Sequence, residues 1–364
     1  LSGSMAACLL SMEYGLTGPV QTQVAACASS VITFLDALRM IERGEVDVVI
    51  GGGTEAPLLK MGFAALSNMG ALSRNNDDPE GASRPFDRER DGFLFGEGGA
   101  IMVIETAEHA LKRGATIHAE LVGAALTADA FHISAPEPTG RGAAMAMRKA
   151  YQDADLAPDE IDFVVAHGTS TPLNDVTETK AIKAAFGDHA YKLAVSSPKS
   201  MVGHLLGGAG AVAAAIGIGA IREGVIAPTI NYHTPDPECD LDYVPNEARE
   251  ARVDAVMVNG FGFGGQNAVA VFKRFEESRP RTLLRGGTRR EQATLVGLQS
   301  SDQVSRGAHG PTPLEVVEDL HRRTIGHDPG LPQVGGVHLE AVLEAEGRAA
   351  DPAHARGAVQ RLAV

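Results

Sequence analysis

The sequence contains no tryptophan and only three cysteines, Cys8, Cys27 and Cys239, among 364 residues. So few cysteines exclude a disulfide-stapled scaffold and fit the reducing cytoplasm. Basic residues are also scarce, with 32 Lys and Arg against 46 Asp and Glu, which gives a formal net charge of −14. Because nucleic acid and anionic membranes repel an acidic chain, we expect neither as a partner. The longest uncharged apolar stretch, residues 205–221, falls short of the ~20 residues that span a bilayer, and we expect a buried helix there.

Residues 276–364 lack both lysine and aromatic side chains, although they hold 11 arginines. All 8 lysines and all 17 Phe and Tyr residues lie in the part before them. A segment without aromatic residues has little material for a core. We therefore treat 276–364 as an unassigned tail that is expected to be disordered or non-native, and we base the fold prediction on residues 1–275.

Apolar runs alternate with helical patterns along residues 1–275. Runs that predict buried strands lie at 46–50, 163–166, 255–258 and 267–272. Patterns that predict helices lie at 29–43, 107–113, 142–153, 175–186 and 204–223. This alternation predicts an α/β fold built in layers. Cys27 and His204 each open a long predicted helix, so two half-domains related by a pseudo-two-fold axis would place both residues at one central junction.

Cys27 follows an apolar stretch and precedes a predicted helix. One interpretation is a buried core cysteine, the common fate of free cysteines. The other is a nucleophile at a helix N-terminus, where the helix dipole favours the thiolate. Cys8 has the pattern of a core residue. Cys239 has that of a loop residue whose pKa is raised by acidic neighbours.

Two histidines accompany Cys27 as candidates for chemistry. His167 ends a predicted strand just before a polar cluster, and the carboxyl ends of strands carry sites in α/β proteins, although a lone histidine there is more often structural. His204 precedes a Gly-rich helix whose dipole would keep the imidazole neutral and able to donate a hydrogen bond to an oxyanion. One cysteine with two histidines fits acyl transfer, and no metal is expected because closely spaced ligand pairs are lacking in the sequence.

The Gly-rich turn 261–267 precedes a strand and not a helix, which argues against dinucleotide binding. Gly262 and Gly264 flank Phe263 and predict a mobile loop whose backbone N–H can approach a substrate closely.

Taken together, four segments resemble the β-ketoacyl-acyl-carrier-protein synthases of the dissociated fatty-acid type, in the elongating synthase II subgroup. They are Ala25–Ser30 (AACASS), His167–Pro172 (HGTSTP), Lys199–Gly207 (KSMVGHLLG) and Asn259–Gly265 (NGFGFGG). Polyketide ketosynthases share the cysteine and both histidines, but they usually carry Gly in place of Ser170 and lack the Lys-Ser-Met run.

The resemblance implies a thiolase-like fold, in which two pseudo-symmetric halves form a five-layer αβαβα sandwich and the protein works as a homodimer. Residues 1–115 would be a partial N-terminal half with the nucleophile, and 116–275 the C-terminal half with both histidines. The implied reaction is a decarboxylative condensation in fatty acid elongation. Its partner is the acyl carrier protein, loaded with an acyl or a malonyl group. The chain would need no cofactor of its own, since the carrier brings the 4'-phosphopantetheine.

The resemblance also implies a role for each site residue. Cys27 would receive the acyl group, His167 and His204 would hydrogen-bond the malonyl thioester oxygen, and Lys199 would hold the region of His167. The amides of Cys27 and Phe263 would form the oxyanion hole.

The family further implies a substrate-binding set and two supporting carboxylates. Thr169 and Thr171 would bind the pantetheine arm. Asp129, Gly262 and Gly264 would belong to loops that move with Phe263, the gate of the acyl pocket. Behind them would stand the carboxylates Asp175 and Glu178.

Two departures from the family pattern affect these expectations. Family members carry a much longer segment before the nucleophile, so we expect an incomplete N-terminal half with an exposed sheet edge. We therefore expect the chain as written to aggregate or to show negligible condensing activity. In addition, Ala213 stands where relatives often have Glu, so Lys199 is expected to keep Glu178 alone as its charge partner.

Three alternatives remain open at this point. The chain could be an inactive fragment or a non-catalytic partner subunit, although such partners typically replace the cysteine that is present here as Cys27. It could be a polyketide-type ketosynthase. It could also be a thiolase-like or hydrolytic cysteine enzyme, which the His-Gly-Thr-Ser-Thr run disfavours.

Overall fold

A computed structural model of the chain describes residues 3–276 and 293–296. They lie in one compact unit, Leu1–Val296; a second unit, Gly297–Val364, is outside the described residues. The helices are α1 Met5–Tyr14, α2 Ser29–Glu42, α3 Lys60–Asn68, α4 Ala107–Lys112, α5 Arg141–Asp153, α6 Pro172–Phe186, α7 Lys199–Val202 and α8 Ala209–Glu223. The strands are β1 Val48–Glu55, β2 Gly98–Thr106, β3 Ile117–Ala128, β4 Phe163–Val165, β5 Ala194–Ser196, β6 Val225–Ile226, β7 Arg249–Glu250, β8 Ala255–Gly262, β9 Gln266–Lys273 and β10 Ala293–Val296.

Eight of these strands form one mixed sheet in the order β1-β2-β10-β3-β9-β8-β4-β5. Strand β4 runs parallel to both β5 and β8, and the other neighbours are antiparallel. Helices α2 and α8 pack between the β1-β2 part and the β9-β8-β4 part, while α5 and α6 cover the outer face of the latter. The layered α/β architecture predicted from the sequence is therefore present.

The tail contributes a strand that the sequence prediction left out. Ala293–Val296 (ATLV) forms β10, which pairs antiparallel with β2 on one side and β3 on the other. Its β-branched residues favour extended backbone, and it lies between two strands that each have an edge to share. The expectation of disorder thus does not hold for these four residues, while the alternative of a non-native tail stays a prediction. The rest of that prediction lies outside the described residues.

All the predicted strands and helices of residues 1–275 are found, with shifted ends. The largest shift concerns the helix predicted from His204. The regular helix α8 begins only at Ala209, because a 3₁₀ turn, Leu206–Gly208, intervenes. Within the described residues, Leu206–Glu223 is long and apolar enough to cross a membrane, yet 56% of it is buried inside the fold, as expected for a core helix.

The central contact of the fold joins α2 to α8. The backbone N–H of Ala211 donates to the Ser30 hydroxyl at 3.0 Å. A Cβ atom at Gly210 would lie only 2.4 Å from Cγ2 of the fully buried Val31. The absence of a side chain at Gly210 therefore lets the first turns of the two helices touch.

Gly210→Ala should lower the free energy of unfolding by about 1–3 kcal/mol, because an overpacked core contact costs that much. Gly219 of the same helix is the matched control, since a Cβ there would meet no atom within 4 Å. Gly219→Ala should raise stability by about 0.5–1 kcal/mol. Urea unfolding of both variants measures the difference. A Gly210→Ala protein as stable as the parent would contradict the close contact.

Candidate active site

Cys27 lies in a tight turn that leads into α2. The turn is closed by the N–H of Ala28, which donates to the carbonyl of Ala25 at 3.1 Å, and Ala26 adopts a left-handed φ of 48°. Cys27 is 5% exposed, whereas Val24 is 88% exposed. The apolar stretch before the cysteine is therefore not a buried strand, and the nucleophile is positioned by the turn and the helix alone.

His204 makes direct contact with the thiol. Its Nε2 lies 3.1 Å from Sγ of Cys27, and its Nδ1 accepts a hydrogen bond from the N–H of Leu206 at 3.2 Å. Since Nδ1 acts as an acceptor, the proton of the neutral ring is on Nε2 and faces the sulfur. The structure thus brings Cys27 and His204 together, as we expected from the two long helices that they were predicted to open.

His167 completes the cluster. Its ring lies edge-to-face against that of His204, with centroids 5.4 Å apart, and it is 4% exposed. Its backbone is held from two sides, because its N–H donates to Glu178 at 2.8 Å and its carbonyl accepts from Nζ of Lys199 at 2.5 Å. The lysine therefore fixes the position of His167 through the main chain.

The cluster has the composition of a metal site but a different spacing. One ligand atom from each of Cys27, His167 and His204 lies within 4.8 Å of the other two. The 3.1 Å between Sγ of Cys27 and Nε2 of His204 is a hydrogen-bond distance. It is shorter than the roughly 3.5 Å that separates two ligand atoms on a tetrahedral zinc ion. The geometry favours hydrogen-bonding chemistry.

Burial sets the protonation states of the site. It lowers the pKa values of His167 and His204 well below the usual range, and the positive charge of Lys199 lowers them further. It also lowers the pKa of Lys199 itself to about 8, against the opposing charges of Glu178 and Asp175, so Glu178 is not the lone charge partner that we expected. Both imidazoles are consequently neutral at pH 7. The cause is desolvation, since His204 stands before the 3₁₀ turn and not at the N-terminus of α8.

The pKa of Cys27 is not lowered, contrary to what the nucleophile interpretation implied. Burial raises the pKa of Cys27 to about 11, although Lys199 and two backbone N–H groups act to lower it. Desolvation disfavours a charged sulfur more strongly than the helix dipole favours it. At pH 7 the site therefore holds a neutral thiol beside a neutral imidazole.

The backbone N–H groups of Cys27 and Phe263, which the oxyanion-hole prediction names, both act on the sulfur and lower the pKa of the thiol. The loop of Phe263 can approach this closely because Gly262 has no side chain. A Cβ there would lie only 2.4 Å from the carbonyl oxygen of Ala25. Gly264 supplies the left-handed φ of 85° that the turn after Phe263 needs.

Thr169 and Thr171 lie side by side next to His167, with their hydroxyl oxygens 2.8 Å apart. Two carboxylates on the first turns of α6 hold this loop. Asp175 accepts from the N–H of Thr169 at 3.1 Å, and Glu178 accepts from the N–H of Gly168 at 2.7 Å.

Asp129 connects the two predicted gate loops. It is 6% exposed, and its carboxylate accepts from Asn267 at 2.7 Å and from the N–H of Glu137 at 3.1 Å. Its own N–H donates to Gly265 at 2.8 Å. A carboxylate bonded to both loops couples their positions.

Both remaining cysteines differ from their predicted settings. Cys8 is only half-buried in α1, a helix without buried residues, so it is not a core residue. Cys239 is 1% exposed, and burial more than acidic neighbours raises its pKa to about 12. Neither is near the cluster of Cys27.

Asn259 and Phe261 belong to the site although no role was predicted for them. The Asn259 amide donates to Glu178 at 3.0 Å, and the Phe261 ring lies 5.6 Å from that of His167. The sequence signal was their place in the NGFGFGG segment, at the end of β8.

Comparison with known families decides the relationship. Residues 1–110 match the model of the β-ketoacyl synthase N-terminal domain, and 118–233 match that of the C-terminal domain. The chain belongs to the β-ketoacyl synthase family. It is 50% identical over 273 residues to a 3-oxoacyl-[acyl-carrier-protein] synthase 2 of Synechocystis. The aligned region covers 75% of this chain and 66% of the relative. The chain thus spans slightly less than two thirds of that relative's length.

Solved structures agree with this family and with the thiolase-like fold. A type II polyketide ketosynthase, solved in complex with its acyl-carrier protein, is 36% identical with a TM-score of 0.74, covering 75% of this chain and 67% of that one. A β-ketoacyl synthase from Burkholderia phymatum is 39% identical with a TM-score of 0.71, covering 75% and 66%.

The rate of Cys27 alkylation by iodoacetamide should rise about tenfold per pH unit above pH 7, because the reaction follows the thiolate fraction. No plateau should appear below the pKa of about 11. Below about pH 8, where Lys199 still carries its charge, Lys199→Met should slow the alkylation, since that charge favours the thiolate.

The control is Lys183→Met, which removes a surface lysine paired with Asp240 and should leave the profile unchanged. Mass spectrometry separates Cys27 from the other two cysteines. A plateau near pH 7 would show a resting thiolate and contradict the neutral thiol.

Proposed function

We propose that the chain carries the active site of a 3-oxoacyl-[acyl-carrier-protein] synthase, which condenses a Cys27-bound acyl group with malonyl-acyl-carrier protein in fatty acid elongation. The observation that carries the proposal is the cluster itself. A buried thiol meets two backbone N–H donors and two neutral imidazoles at one point. The names of the curated relatives favour this reaction over polyketide synthesis.

The first half-reaction transfers the acyl group. The sulfur of Cys27 attacks the thioester carbonyl, and the thiol proton passes to the departing pantetheine sulfur. The oxygen that becomes negative lies toward the amides of Cys27 and Phe263, the groups that already donate to the sulfur. The Nε2–H of His204 stabilises the developing thiolate, and in this tautomer the ring does not act as a base. A covalent intermediate divides a difficult transfer into two easier steps.

The second half-reaction needs donors that carry no charge of their own. Malonyl thioester loses CO₂ and leaves an enolate whose oxygen accepts hydrogen bonds from His167 and His204. The enolate carbon then attacks the acyl-cysteine, and Cys27 leaves as a thiolate that takes up one proton. In a buried site such hydrogen bonds are stronger than in water, and one oxyanion donor contributes roughly 3 kcal/mol.

The remaining parts of the proposal concern partners. The acyl carrier protein delivers both substrates on its 4'-phosphopantetheine, and the chain's own residues supply the rest without a metal or cofactor. One structural relative was solved with its carrier protein, which supports this partner. We further propose that the protein is cytoplasmic and works as a homodimer.

His167→Ala and His204→Ala should each reduce CO₂ release from malonyl-carrier protein by about 10²–10³-fold, the usual cost of removing one oxyanion donor. Acylation of Cys27 should remain detectable, because its oxyanion is bound by backbone amides. Labelled malonate and intact-protein mass spectrometry measure the two half-reactions separately.

His189→Ala is the control, since the His189 ring hydrogen-bonds the carbonyl of Ile161, at 3.0 Å, and is not part of the cluster. Equal loss of both half-reactions in the His167 and His204 variants would contradict the proposed division of roles. Release of CO₂ by a Cys27→Ala protein would support it.

A further inference from the structure

Arg90 is a buried arginine outside the cluster of Cys27, and its guanidinium is almost saturated with partners. Its Nε donates to the carbonyl of Thr171 at 3.1 Å, and its Nη2 donates to that of Pro172 at 3.2 Å. Its Nη1 donates to the carbonyl of Asp87 at 2.7 Å and to the carboxylate of Asp236 at 2.6 Å. The side chain is 4% exposed. The residue thus ties the loop before α6 to two other segments.

The position of Arg90 is not explained by helix stability. The guanidinium lies at the N-terminal end of α6, where the helix dipole disfavours a positive charge. A buried charge also carries a large desolvation cost, so a buried ion pair is weak evidence for stabilisation. The compensation comes from two carboxylates: that of Asp236 lies 2.6 Å from Nη1, and that of the fully buried Asp175 lies 3.6 Å from Nε.

Asp175 connects Arg90 to the loop that contains Thr169 and Thr171. One carboxylate oxygen accepts from the N–H of Thr169, and the other accepts from the N–H of Phe86 at 2.7 Å. Arg90 meanwhile holds the carbonyl of Thr171 directly. The backbone at both threonines is therefore held by one arginine, directly at Thr171 and through Asp175 at Thr169.

The loop needs such support because its backbone is strained. Ser170, between the two threonines, has a φ of 66°, which is unfavourable for a residue other than glycine. It stays in this conformation with bonds to the segment that carries Arg90. The Ser170 hydroxyl accepts a hydrogen bond from the N–H of Arg84 at 2.9 Å. The Ser170 carbonyl accepts one from the N–H of Gly92 at 3.0 Å. Strain of this kind persists only where surrounding contacts over-determine the backbone.

We propose that Arg90 is a positioning residue that, through Asp175 and the carbonyl of Thr171, holds the Thr169 and Thr171 hydroxyls for a pantetheine thioester. The substrate class in this inference rests on the proposed function, whereas the positioning of the loop by Arg90 rests only on the contacts described above. We expect the site to prefer thioesters that have a pantetheine arm over thioesters of the same acid that lack it.

Arg90→Met tests the proposal on the full chain by two readouts. Hydrogen exchange at the Thr169 amide should become about tenfold faster or more, because its acceptor Asp175 loses the charge that holds it. Exchange in β8 and β9 should not change. In addition, the preference of Cys27 for acylation by an S-pantetheine thioester over the S-ethyl thioester should fall about tenfold, the value of one or two lost hydrogen bonds. The S-ethyl rate should stay within about twofold, since that substrate has no arm to position.

Arg88→Met is the matched control, because Arg88 lies in the same segment with its side chain 59% exposed and should affect neither readout. Arg90→Lys keeps the charge without the fork, and we expect an intermediate effect. It also serves as the folded variant if Arg90→Met does not accumulate.

Unchanged exchange at Thr169 would overturn the proposal whatever the acylation rates are. Equal loss with both thioesters, together with faster exchange throughout the sheet, would overturn it by showing a purely structural role. If the parent chain is acylated by neither thioester, the proposed function and the substrate class fail, while the exchange result still decides whether Arg90 holds the loop.

Discussion

The packing of backbone against the first turn of α2 is the constraint on which the site depends. A Cβ at Gly210 would lie 2.4 Å from Val31, and one at Gly260 would lie 2.8 Å from the same side chain. Helix α8 and strand β8 approach α2 this closely only because both positions are glycine. That approach leaves Cys27 at hydrogen-bonding distance from His204, which comes from the segment before α8. A site assembled from both halves of the chain thus follows from missing side chains.

Close packing also removes water, and the electrostatics of the site follow from that. Desolvation lowers the pKa of both histidines and raises that of Cys27, so three potentially charged groups are neutral together. Lys199 is the cation that acts on all three, and its ammonium is bonded to the carbonyl of His167. Neutral donors suit a reaction whose charge appears only in the transition state. Their hydrogen bonds then become stronger in the transition state than in the resting site, where no ion pair competes for them. In the proposed reaction, the neutral thiol of Cys27 must therefore lose its proton while it attacks the thioester.

The sequence predicted most of the layered fold and the residues of the cluster, since apolar period and motif order are local signals. It failed where the answer depends on tertiary packing. The thiolate of Cys27 was inferred from a helix N-terminus, but desolvation is set by residues distant in the chain. The partners of Arg90 could not be inferred from the sequence, because Thr171 and Asp236 lie more than 80 residues away. Strand β10 was missed since Ala293–Val296 has few features apart from the two edges beside it.

The segment around Arg90 contacts the C-terminal part of the chain by hydrogen bonds as well as by the stacking of Phe86 on Tyr243. The Ser83 hydroxyl donates to the carbonyl of Lys199 at 2.7 Å, and the N–H of Arg88 donates to that of Thr234 at 2.9 Å. An apolar surface tolerates sliding, whereas buried donors and acceptors leave a large penalty when they are out of register. In the proposed function, the loop after β4 must be held to a fraction of an ångström, because His167 has to meet the substrate oxygen. The hydrogen bonds of this segment therefore fix its position, whereas the stacking of Phe86 on Tyr243 alone would fix only proximity.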